Sequence, residues 1–351
     1  MRAMTVIPGE PASAELTDLP DPEPGDGELL VEPLRLGVCG TDREILAGDH
    51  GEPPPGSERL VLGHELLARV REAPDGSDLE PGRLVAAIVR RPDPVPCSCC
   101  ARGEWDMCRN GRYTERGIKE RHGFGAERFR LEPEFAVKVD KRLGLSAVLL
   151  EPTTIVAKAW LHADCIARRA RSAAPRRLLV TGAGPVGLLA ALLGVQRGLD
   201  LHVFARAGEG TAVDLTQALG GRYHAGAIAD VLTAVRPDLV MECTGATAVI
   251  AGVLGNVAPN GMVCLLGVSP LGRQAQLDLG RLNRAMVLEN QVVFGSVNAN
   301  RAHYEAAAAA LAAADPAWLA RLISRRVPLT RWAEALERRP DDIKVVIDFT
   351  L

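Results

Sequence analysis

The sequence predicts an α/β protein made of a β-rich first half and a doubly wound parallel sheet, and three observations carry that prediction. From residue 1 to about 150, apolar residues come in short runs punctuated by proline and glycine, as at 28–32 and 83–89, the pattern of short strands and many turns. At 176–181 a strand rich in leucine and valine runs into Gly182-Ala183-Gly184-Pro185-Val186-Gly187, and an alanine- and leucine-rich helix continues to about Arg197. Beyond it, apolar strands at 201–204, 239–243, 262–266 and 291–294 alternate with helical stretches, the order expected of a doubly wound sheet.

At 351 residues the chain is long enough for two domains, and an apolar fraction of 47% supports ordinary globular cores. With 41 basic and 44 acidic residues the net charge is -3, so nothing electrostatic recommends DNA, RNA or an anionic membrane as a partner. Residues 178–196 and 243–272 carry no charge, but Gly182, Gly184, Pro185, Gly187 and Gly194 interrupt the first and Gly, Pro and Asn recur through the second. Buried parallel strands with tight turns account for both better than a membrane span. The start, Met1-Arg2-Ala3-Met4, has no signal pattern, so a cytoplasmic location is expected.

In the first half, Leu36-Gly37-Val38-Cys39-Gly40-Thr41-Asp42 sets a thiol between two glycines and follows it with a hydroxyl and a carboxylate. A second apolar run ends in Gly63-His64-Glu65, and Glu151 follows a third. Zinc takes S, N and O ligands tetrahedrally, and a catalytic zinc keeps one position open. Cys39, His64 and one or both of Glu65 and Glu151 would supply that shell. Singly these residues read as a small core thiol, a half-buried histidine and solvated strand ends; together they read as a metal site.

Four of the eight cysteines, Cys97, Cys99, Cys100 and Cys108, crowd together and read as metal ligands more readily than as a disulfide framework.

In the second half, the glycine-rich turn between strand and helix has a specific physical use. The first glycine makes the turn, the second admits a pyrophosphate to backbone amides, and the third lets helix and strand pack closely. The phosphates then sit on the helix N-terminus. Gly182, Gly184, Pro185, Val186 and Gly187 are therefore expected to bind a dinucleotide, with Thr244, Gly245 and Gly267 at neighbouring strand ends. About 20 residues on, where NAD enzymes place a carboxylate for the ribose, the strand ends in Ala205-Arg206. An arginine suits a 2′-phosphate, so NADP is expected ahead of NAD.

The blocks Cys39-Gly40-Thr41-Asp42-Arg43-Glu44, Gly63-His64-Glu65, Tyr113-Thr114-Glu115-Arg116-Gly117-Ile118, Glu151-Pro152 and Gly295-Ser296-Val297-Asn298, in this order, resemble those of the zinc-dependent medium-chain alcohol dehydrogenases, in particular the glucose 1-dehydrogenase branch. The resemblance covers nearly the whole chain. It implies a chaperonin-10-like catalytic domain over 1–150 with a lobe near 93–108, a Rossmann dinucleotide-binding domain over 151–300, and a segment over 301–351 returning to the first domain. It implies that Thr41 relays the substrate proton, that Asp42 orients a neighbouring group, and that Glu44 stands where other members carry the relay's outer histidine, leaving His50 or water as the exit. Glu115, Glu151 and Asn298 correspond to groups that hold sugar hydroxyls, whereas Val89 stands where some members carry a sugar-contacting asparagine.

The lobe departs from the branch. Its C-x2-C-x2-C-x7-C spacing finds Cys97, Cys100 and Cys108 in the last three places but Pro94 in the first. Either Cys99 or Asp93 completes a structural zinc site, or the lobe folds without metal.

The expectation is a zinc- and NADP-dependent aldose 1-dehydrogenase making a lactone, active as a homodimer or homotetramer on a small polyol. A cyclitol or aminocyclitol secondary-alcohol dehydrogenase is the alternative, ahead of a zinc-free reductase and a non-catalytic NADP-binding protein.

Overall fold

The structure, a computed structural model, describes residues 1–23, 25–170, 174–206 and 208–351. The chain divides into two compact units, Met1–Thr154 with Asn298–Leu351, and Ile155–Val297.

The first unit is built on a seven-stranded sheet. Its central strand, Leu29–Gly37, pairs antiparallel with Glu65–Glu72 on one side and with Lys344–Asp348 on the other. Leu84–Ala87 and Ala136–Lys138 extend one edge, Ile323–Pro328 the other, and Phe129–Leu131 also pairs with the central strand. The register sets Gly37 opposite Glu65 and Leu36 opposite Leu66. The stretch from Leu29 to Val38 is almost wholly buried, which is why it reads as an apolar run and not as alternation.

The strand expected at 83–89 is shorter in the structure: Leu84–Ala87 belongs to the large sheet, and beyond the run Arg90–Arg91 pairs with Thr114–Arg116 in a separate three-stranded sheet. Three arginines of that small sheet converge on one carboxylate. Glu132 meets Arg121 at 2.8 Å, Arg91 at 3.0 Å and Arg116 at 3.5 Å. Burial by itself would raise the Glu132 pKa, but the guanidiniums of Arg91 and Arg116 win and hold it at about 2, below its ordinary 4.5. A carboxylate depressed in the folded state stabilises fully above its unfolded pKa and loses that contribution as pH falls toward the folded value. Glu132→Gln is therefore expected to cost about 2 kcal/mol at pH 7. In urea titrations the gap to the parent should close between pH 4.5 and about 2.

The second unit is a six-stranded parallel sheet in the order Arg222–His224, Asp200–Phe204, Arg177–Thr181, Leu239–Glu242, Met262–Leu265, Val292–Gly295. Leu178, Leu179, Val180, Leu239, Val240 and Met241 are fully buried beneath the helices, as strands covered on both faces must be. The helix expected after the glycine turn spans Pro185–Gln196. The alanine-rich stretch from 301 forms the helix Arg301–Ala312, and Asp315 caps the next helix with Pro316 at its first turn. No helix among the described residues is long and apolar enough to cross a membrane.

Candidate active site

The metal-capable residues of the first unit converge because of strand pairing. Cys39 follows the central strand by two residues, and His64 immediately precedes the strand that pairs with it. One ligand atom each of Cys39, His64 and Glu65 lies within 4.8 Å of the other two. Glu151, in the first turn of helix Leu150–Ala167, lies outside that triangle but is buried and electrostatically coupled to it. Burial, with help from Glu65 and Asp42, pushes the Glu151 carboxyl up to about 7 against the opposing pull of His64 and Lys344.

The surroundings orient the donors. Asp42 sits in the first turn of helix Gly40–Ala47, where its Oδ2 accepts the Cys39 N–H at 2.8 Å. Its Oδ1 faces His64 Nδ1 at 3.5 Å, which leaves Nε2 as the donor atom of the imidazole. Burial disfavours the imidazolium, yet Asp42 and Cys39 hold the His64 pKa well above its ordinary value. Glu65 is paired with the ammonium of Lys344, which also donates to the Val38 carbonyl at 3.0 Å. Burial would lower the Lys344 pKa, but Glu65, Cys39 and Glu151 hold it above its ordinary value. Gly37 makes room for that pair: a Cβ there would stand 2.0 Å from Glu65 Oε2 and 2.9 Å from Lys344 Cε.

This donor set fits zinc. It offers sulfur, nitrogen and oxygen, and it gathers the Asp42, Glu65 and Glu151 carboxyls in a buried space with the Lys344 ammonium. Asp42 Oδ1 and His64 Nδ1 are buried without a hydrogen bond. A divalent cation relieves that surplus.

Of the other expected residues, Thr41 is half-buried in the first turn of the helix, and Glu44 and His50 are exposed. Asn298 donates through Nδ2 to Glu115 Oε1. Val89 is buried. In the lobe, the sulfurs of Cys97, Cys100 and Cys108 form a second triangle within 4.8 Å. Cys99 stays outside it, ahead of the short helix Cys100–Arg102, and Asp93 is engaged by Val95 N–H, Asn110 and Arg112. Backbone N–H groups of Cys100 and Arg109 lower the Cys97 thiol to about 6, while burial raises Cys100 to about 11.

In the second unit, the turn behaves as its sequence requires. Nothing lies within 4 Å of the space beside Gly184, which precedes the helix, whereas a Cβ on Gly187 would stand 1.8 Å from the Gly182 carbonyl oxygen. Pro185 and Val186 form the first turn, and Arg206 is exposed just past the end of strand Asp200–Phe204. Thr244 donates its N–H to Glu242 at 2.8 Å, and a Cβ on Gly267 would stand 2.1 Å from Gly245 N.

Two buried charged residues escape a reading of the sequence alone: Lys344 and Glu242. Lys344 leaves a trace, as the single charge between Ile343 and Val345-Val346-Ile347. Glu242 is fully buried and receives Thr181 Oγ1 and the Thr244 and Gly245 N–H groups, but in sequence it is one polar residue at a strand end.

Comparison with known families decides the membership. The profile of the glucose dehydrogenase C-terminus matches residues 145–349, and that of the alcohol dehydrogenase GroES-like domain matches 25–141. The chain belongs to the zinc-dependent medium-chain alcohol dehydrogenases, in their glucose dehydrogenase branch. Within this branch it is 40% identical over 359 residues to a glucose 1-dehydrogenase of Methanocella arvoryzae, covering 99% of each chain. It is 41% identical over 353 residues to that of Thermoproteus tenax, again over 99% of each. A solved structure of Haloferax mediterranei glucose dehydrogenase in complex with NADP, Zn and gluconolactone superimposes with a TM-score of 0.92 at 33% identity, covering 100% of both chains.

Proposed function

We propose that the chain is a zinc-dependent aldose 1-dehydrogenase that passes hydride from a glucose-like sugar to NADP and yields the lactone. The observation that carries the reading is the triangle of half-buried Cys39 with buried His64 and Glu65, set on a chain similar over 99% of its length to a glucose 1-dehydrogenase. Those three residues, with Glu151 beside them, would hold zinc, which when bound lowers the pKa of a hydroxyl toward neutrality and polarises a carbonyl. Asp42 Oδ1, facing His64 Nδ1 at 3.5 Å, favours a proton on that nitrogen and leaves Nε2 for the ion. Thr41, two residues after Cys39, receives the proton that the substrate hydroxyl loses. Glu44, exposed and three residues further along the same helix, marks where that relay meets water. Glu115 and Asn298 hold sugar hydroxyls. Gly182, Gly184, Pro185, Val186 and Gly187 bind the cofactor phosphates at the helix N-terminus, with Thr244 and Gly267 shaping the adjacent strand ends.

A cyclitol or aminocyclitol ring alcohol is the second reading, favoured by the buried Val89 where a sugar-contacting asparagine stands in some members. A panel of aldoses and cyclitols followed by NADPH absorbance separates the two: an aldose turned over fastest supports the first, a cyclitol overturns it.

Arg206 is proposed to meet the 2′-phosphate. Arg206→Ser is expected to raise the KM for NADP about 10-fold and leave that for NAD within about twofold, the loss of one charge-assisted contact. Steady-state titration of both cofactors checks this.

A homodimer joined through Val292–Gly295 is also proposed, because that strand is the sheet's edge and Val268, Leu271, Val287 and Leu288 are exposed in the same unit. Light scattering after size exclusion reads the mass directly.

A further inference from the structure

We propose that Arg90 is a positioning residue that fixes Glu115 as a one-oxygen acceptor for a single ring hydroxyl, which restricts the substrate to neutral polyols bearing a free hydroxyl there. The proposal rests on the polyol-oxidation reading of the site.

Arg90 and Glu115 are direct partners across an antiparallel pair, so the small sheet's register forces them together. Both are buried, Arg90 to 5% exposure and Glu115 to 9%. Arg90 Nε and Nη2 each donate to Glu115 Oε1 at 3.1 Å, and Nη1 donates to the Asp106 carbonyl at 3.2 Å. One face of the guanidinium lies on the Tyr113 ring, 3.6 Å from its centroid. Held on these sides, the guanidinium has one orientation.

Asn298 closes the arrangement. Its φ is +61°, its Oδ1 accepts the Ala299 N–H at 2.8 Å, and its Nδ2 is thereby turned to Glu115 Oε1. Oε1 thus takes three donors. Oε2 accepts no hydrogen bond among the described residues, and the Glu115 side chain keeps 11% exposure.

A carboxylate in an ion pair accepts hydrogen bonds and donates none. A group opposite Oε2 must therefore bring its own proton, as a hydroxyl does and an ether, a deoxy carbon or a phosphate dianion does not. Arg90 neutralises the site, which removes the attraction an isolated carboxylate would offer an ammonium. The Arg90–Glu115 pairing gives this chain a fixed reader of one hydroxyl.

The test uses the zinc-loaded full chain with NADP and measures kcat and KM for an accepted sugar and its monodeoxy analogues, each lacking one ring hydroxyl. The parent protein is expected to lose roughly 10- to 100-fold in kcat/KM at one position, the cost of an unpaired buried acceptor. In Arg90→Met, KM for the intact sugar should rise by a similar factor with kcat within about threefold, and the penalty at that one position should collapse. Arg90→Lys, which keeps the charge and loses the fork, should restore part of the penalty; if Arg90→Met does not fold, Arg90→Lys decides alone by relaxing the penalty at that same position. A uniform loss across the series, or an unchanged penalty, overturns the proposal. Turnover of cyclitols with no turnover of aldoses defeats the aldose reading instead, and deoxycyclitols then decide the role of Arg90 by the same comparison.

Discussion

His64→Asn is expected to lower kcat/KM for NADP-linked sugar oxidation by about 10³-fold or more, because the metal's stabilisation of developing charge is worth several kcal/mol. The imidazole occupies the corner between Cys39 and Glu65, and no other histidine belongs to the triangle among the described residues. The second unit is expected to bind NADP as before, since the glycine turn and Arg206 belong to a separately packed sheet. Steady-state kinetics beside calorimetric NADP titration separates these outcomes. Lost cofactor binding together with lost turnover would point to misfolding rather than to a missing ligand.

Lys344→Met carries the largest expected effect on stability. Lys344 is 1% exposed, Glu65 is 2% exposed, and their buried ion pair joins the two strands that flank the central one, over Gly37. Removing one partner of a buried pair leaves an uncompensated charge and costs about 3–5 kcal/mol. Zinc supplies positive charge to the same carboxylate, so the loss in urea unfolding should be smaller in metal-loaded protein than in protein stripped by chelation. An equal loss in both forms would place Lys344 outside the electrostatics of the metal site.

The parts of the fold that sequence reveals are those written in contiguous residues. The glycine turn between a strand and a helix encodes its own close contact, and the structure returns it as Gly187 against the Gly182 carbonyl. Cys39 and His64 are legible because each ends an apolar run with small residues beside it. Lys344 is not, because its partner Glu65 is 279 positions away and they meet only because Lys344–Asp348 and Glu65–Glu72 pair with opposite edges of Leu29–Gly37. Arg90 is hidden for a similar reason. It follows a run, 83–89, that reads as one strand, whereas the structure ends that strand at Ala87 and starts another at Arg90 whose register meets Glu115. In the lobe, spacing alone leaves Cys99 and Asp93 as rivals for a fourth ligand. Backbone geometry sets Cys99 apart, and hydrogen bonds from Asn110 and Arg112 occupy Asp93.

The central claim is that a zinc ion held at Cys39 and His64 with Glu65 or Glu151 is required for turnover. Stepwise chelation, with zinc per chain and NADP-linked activity measured on the same samples, tests it most directly. Activity is predicted to fall in proportion to the departure of one zinc per chain and to return when zinc is restored. Full turnover by zinc-free protein would contradict it.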